Sequence, residues 1–92
     1  MFIAKVVGNV VSTQKNEKLI GTKLLLVKPI DDNGVIIKNS EIIVAVDTAG
    51  AGKGELVLVA KGSAARHVYD NKTIPSDAAI VGIVDSIEYT IK

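Results

Sequence analysis

Four of the strand-like runs in this chain are apolar on two opposite faces, and that constrains the fold more than anything else in the sequence. In "ELVLVAK", residues 55–61, Leu56, Leu58 and Ala60 fall on one face while Val57 and Val59 fall on the other. In "EIIVAVDT", 41–48, Ile42, Val44 and Val46 oppose Ile43 and Ala45. "TKLLLVKPI", 22–30, carries an unbroken Leu-Leu-Leu-Val, and "AAIVGIVDSIEYTI", 78–91, loads both faces with Ile80, Val81, Ile83 and Val84. Side chains of a strand alternate between faces, so a small antiparallel sheet with one core should alternate apolar with polar. A chain of 92 residues cannot bury both sets by itself. The second set needs a cover, because large exposed apolar patches mark interfaces. The pattern therefore predicts a homo-oligomer with extensive subunit contacts.

The remaining pattern predicts a single β domain over residues 1–92. "MFIAKVVGNVV" at 1–11 reads as a first strand; it lacks the charged opening and cleavage pattern of a leader, and no apolar run reaches membrane-spanning length. "GVIIK" offers a possible earlier start for the third strand. "DDNG" at 31–34 ends in Asn-Gly, which favours a tight hairpin. "TQKNEK" and "DNKTIPSD" are polar loops, and "GSAARHVY" from Gly62 suits one short helix capped by Ser63. The order is four strands, a short helix and a fifth strand, without the alternation of strand and helix that a parallel sheet needs. A five-stranded OB-like β-barrel with one short helix fits best, since closure removes exposed edges.

Chemistry is harder to find. "DTAGAGKGE" resembles a phosphate loop, yet a G-x-x-x-x-G-K-[ST] match puts Asp47 at the first glycine and Gly54 at the Ser/Thr. The dinucleotide fingerprint also fails, and a strand follows where both motifs require a helix N-terminus. The glycines Gly50, Gly52 and Gly54 instead suit a tight turn with positive φ or close backbone approach. Asp47 and Asp85 each end an apolar segment; a catalytic carboxylate pair is less natural there than acids that bond nearby backbone or Arg. "DDNG" fails as a calcium loop, with Pro29 and Ser40 where acids are needed. His67 stands alone, so no metal site and no histidine-based triad can be assembled. The absence of cysteine removes disulfides and thiolate metal sites. The expectation is a non-enzymatic protein without cofactor or metal. The strongest alternative is a single-stranded nucleic-acid binder, a frequent OB-barrel role. Such a surface wants stacking aromatics and a basic groove. Phe2, Tyr69 and Tyr89 with a net charge of +1 argue against it.

Three stretches together carry a resemblance. "STQKNEKLIGTKLLLVKPID", "VAVDTAGAGKGELVLVAKGSAAR" and "DAAIVGIVD" resemble the bacterial microcompartment vertex proteins. That pentameric shell family occurs in carboxysomes and in ethanolamine, propanediol and glycyl-radical microcompartments. The chain departs from the family pattern at Ala64, where a second serine is usual, at Ser76, where valine is common, and in its short end after Asp85. The resemblance implies an OB-like barrel forming a homopentamer that caps the vertices of a polyhedral shell in the cytoplasm. Its partners would be itself and hexameric shell proteins, with no nucleic acid and no membrane. On that footing Gly50, Ala51, Gly52, Lys53, Gly54 and Glu55 are expected at a subunit interface or the rim of the five-fold opening. Arg66, with Ser63, is expected to contact a neighbouring subunit.

Overall fold

The computed structural model describes residues 1–11, 23–62 and 78–88. Its elements are β1 (Phe2–Asn9), β2 (Lys23–Pro29), β3 (Ile43–Asp47), β4 (Leu56–Lys61) and β5 (Ala78–Val84). They close into a barrel in the order β1-β2-β3-β5-β4. Neighbours are antiparallel except β3 and β5, which run parallel through Val46↔Ala79 and Asp47↔Ile80. Closing so few strands requires strong bending, and two irregularities supply it. One lies between Val6 and Gly8 of β1, and the other is at Val81 of β5, left unpaired opposite the step from Leu58 to Val59.

The period-two pattern now acquires a direction. Ala4, Val6, Leu25, Val27, Ala45, Val57, Val59, Ala78 and Ile80 fill the interior and are buried. The alternate set looks outward. Ile3, Leu24, Leu26, Leu56 and Leu58 are only half-buried, and Val44 is 47% exposed. Part of the outward side is buried nonetheless: Ala79 pairs with both Val46 and Ala60, and all three are buried.

Between β2 and β3 the chain makes an excursion. The Asp31 carboxylate accepts hydrogen bonds from Asn33 N at 2.8 Å and Val35 N at 3.1 Å, and Gly34 takes φ +80°. The hairpin expected at "DDNG" is there, but only Ile30 and Ile36 pair beyond it, so the possible earlier start of the third strand does not develop. Val35, Ile37 and Ile42 are left exposed on this excursion.

The last strand is shorter than its apolar pattern predicts. The pattern runs over 78–91, and the strand ends at Val84. The physical reason is its partner: Val84 pairs with Leu56, the first residue of β4, so no ladder remains for residues 85–88. The helix expected from Gly62 onward lies outside the described residues, apart from Gly62 itself, which takes φ +72° in a turn.

Candidate subunit interface

The loop joining β3 to β4 crosses one end of the barrel. Its entry is fixed to β5, where the Thr48 hydroxyl and amide both donate to Ile80 O, at 2.6 and 3.2 Å. Its exit is fixed to β1, where Gly54 N donates to Val6 O at 2.8 Å and Val6 N donates to Glu55 O at 2.9 Å. Between these points Ala51 drops into the core, while Gly50, Lys53, Gly54 and Glu55 are exposed. Positive φ is required at Gly50 (+79°) and Gly54 (+88°), so two of the three glycines are explained by backbone conformation. Gly52 has no such φ, and among the described residues an added Cβ would meet only the Glu55 carboxylate, at 3.3 Å. That carboxylate already accepts from Gly52 N at 2.6 Å, and Glu55 N returns to Gly52 O at 3.1 Å, closing a turn with Lys53 at its apex.

Asp47 organises the other half of the loop. Oδ1 accepts from Ala49 N at 2.9 Å and Gly50 N at 3.1 Å, and Oδ2 accepts from Ala51 N at 2.9 Å. Its side chain is 2% exposed, and Lys23 Nζ lies 3.9 Å from Oδ2. The same ammonium donates to Ala51 O at 2.8 Å. Burying a carboxylate is costly unless it is paired and hydrogen-bonded, and three amides with one ammonium meet that condition. Asp47 is thus a strand-end acid bonded to nearby backbone, as expected. Asp85 is exposed on the chain after β5. Lys23 was not singled out from the sequence; it is 28 residues from Ala51, and nothing local announces the contact. Asp47 had a usable signal, since an Asp followed closely by glycine favours side-chain capping of its own turn. Of the expected site residues, the structure brings Gly50, Ala51, Gly52, Lys53, Gly54 and Glu55 onto this one loop. Ser63 and Arg66 lie outside the described residues.

The family described as "Ethanolamine utilisation protein EutN/carboxysome" matches residues 1–85. The chain belongs to this family. Similarity to individual EutN/CcmL proteins runs end to end. The bacterial microcompartment shell vertex protein PduN of Salmonella typhimurium is 51% identical over 89 residues, covering 95% of this chain and 98% of the relative. The solved structure of GrpN, a pentameric microcompartment shell protein from Rhodospirillum rubrum, superposes with a TM-score of 0.82 at 46% identity, covering 99% of this chain and 100% of that one. The structure of CcmL from Nostoc sp. PCC 7120 gives a TM-score of 0.82 at 49% identity over 95% of this chain and 90% of its own. These EutN/CcmL relatives are structural vertex proteins of shells rather than enzymes, and the five-stranded barrel is the fold they share with this chain.

Proposed function

We infer that this chain is a structural shell protein whose homopentamer caps the vertices of a polyhedral bacterial microcompartment, inside the bacterial cytoplasm. The observation that carries the reading is end-to-end similarity to shell vertex proteins on a barrel of the same shape. The physics agrees with it. A layer of flat hexagonal tiles cannot close, and five-fold units at the corners supply the missing curvature. A cyclic pentamer needs a head-to-tail interface that closes on rotation. Strands with a second apolar face give such an interface material to bury. The chain therefore contributes closure and not catalysis.

Hexameric shell proteins are the partners around the pentamer, and the loop Gly50, Ala51, Gly52, Lys53, Gly54, Glu55 sits at the subunit boundary or at the rim of the five-fold opening. Gly52 supports this, because among the described residues its φ does not call for glycine and an added Cβ would press only on the flexible end of Glu55. A contact of Arg66, with Ser63, to a neighbouring subunit is part of the same proposal. Single-stranded nucleic-acid binding, the alternative, receives no support from these relatives.

Size-exclusion chromatography with light scattering tests the reading: a pentamer has about five times the 9.7 kDa chain mass. A monomer at all concentrations would overturn it.

A further inference from the structure

The EutN/CcmL relationship leaves open why the β3–β4 loop holds a buried acid. This loop is costly to order: it carries three glycines within five residues, and glycine loses the most conformational freedom on folding. Yet within a single chain it follows a defined path. The Asp47 carboxylate saturates three successive amides, Lys23 ties Ala51 O to the same carboxylate, and Glu55 closes the turn beneath Lys53. Three consecutive N–H groups converging on one carboxylate form an anion nest, here filled by an anion of the chain itself.

We propose that Asp47 is a positioning residue that presets the β3–β4 loop for subunit association, acting as a tethered carboxylate in the nest of Ala49, Gly50 and Ala51, with Lys23 as its counter-ion. The proposal rests on the pentameric reading above and deepens it. Association costs free energy for every loop ordered at the interface, so a loop ordered in advance removes that cost. The carboxylate acts on the loop, and the loop on the neighbour. The loop reaches the barrel interior through Ala51, with Ala49 packed beside it, and leaves Gly50, Lys53, Gly54 and Glu55 exposed.

The role separates from mere folding by charge. In Asp47→Asn the amide keeps one acceptor, able to serve Ala49 N and Gly50 N, but turns donor against donor at Ala51 N and Lys23 Nζ. Asp47→Gly empties the nest and leaves room for a small anion. The expected result for Asp47→Asn is an unchanged far-UV circular dichroism spectrum, faster hydrogen exchange at the Ala51 amide, and half-dissociation of the pentamer at a protein concentration raised about tenfold or more. For Asp47→Gly, about 100 mM formate should recover assembly while formamide, its neutral analogue, should not, because the nest selects charge and not shape.

Three outcomes overturn the proposal. Asp47→Asn assembling with the wild-type concentration dependence would show that loop presetting is not needed. Equal behaviour of Asp47→Gly in formate and formamide would remove the anion nest. Variants that lose the barrel at every concentration would assign the carboxylate to folding alone. A wild-type chain that is not pentameric is a different failure, of the pentameric reading itself, and is seen before any variant is made.

Discussion

Gly52→Val isolates the subunit contact from the fold. Within its own chain Gly52 has ordinary φ, and the nearest atom to an added Cβ is Glu55 Oε1 at 3.3 Å, the far end of a flexible side chain. Glu55 is exposed, so it moves aside at the cost of one solvent-accessible hydrogen bond to Gly52 N, about 1 kcal/mol. The chain therefore remains folded. If a neighbouring subunit packs against Gly52, the valine overfills that contact by about 1–3 kcal/mol. A closed pentamer contains the contact five times, which sums to about 5–15 kcal/mol per ring. Dissociation of a pentamer into monomers scales with the fourth power of concentration at the midpoint. The half-dissociation concentration then rises by about tenfold to several hundredfold.

Size-exclusion with light scattering over a dilution series reads this directly, and circular dichroism of the same samples checks that the barrel persists. Gly52→Ala should show a smaller shift of the same sign. A pentamer of unchanged mass and unchanged dilution behaviour in Gly52→Val would refute the reasoning, and would remove Gly52 from any subunit boundary.

Gly54→Ala puts a side chain at φ +88° with no atom within 4 Å, so its cost is backbone strain alone, about 1–2 kcal/mol, visible as a loss of that size in chemical denaturation. Val59→Ala removes two methyl groups from a fully buried interior position and should cost about 2–3 kcal/mol in the same assay, with the larger part of the effect in the barrel and not the loop. Val44→Lys, on a position 47% exposed, should leave the circular dichroism spectrum intact and abolish the pentamer in light scattering if the outward face of β3 is buried between subunits. Fluorescence anisotropy with single-stranded DNA or RNA at low salt should show no binding, since the chain has neither a basic excess nor a stacking surface.

Much of the barrel was legible because β-branched runs and turn residues are local signals. Strands over 22–30 and 55–61 appear in the structure within one residue of those bounds. The closure of the barrel was not local. It depends on β3 meeting β5 in parallel over Val46↔Ala79 and Asp47↔Ile80, and no periodicity announces a pairing between segments so far apart. The end of β5 is hidden for the same reason: Ile87 continues the apolar pattern, but a strand ends where its partner ends. The glycine loop shows a mixed case. Its turn character was readable from composition, and positive φ at Gly50 and Gly54 follows from it. The Lys23 contribution belongs to tertiary structure, since it spans β2 and the loop.

The distribution of side-chain volume between the two faces bears on assembly more directly than their shared apolarity. A narrow barrel has little interior, and much of this one is filled with small groups: Ala4, Ala45, Ala51 and Ala78 stand beside valines, with Leu25 and Ile80 as its largest fully buried side chains. Leu24, Leu26, Leu56 and Leu58 point the other way and remain half-buried. A chain selected only to fold alone gains nothing by sending its leucines outward, because apolar area left in contact with water contributes no burial free energy. Scattered outer valines would need no explanation. Paired leucines on two strands do, and they are joined on β1 by Ile3, which lies directly opposite Leu58. The sheet thus carries a closed interior filled by its own chain and an outer apolar surface left partly in water, and a ring of identical subunits buries such a surface.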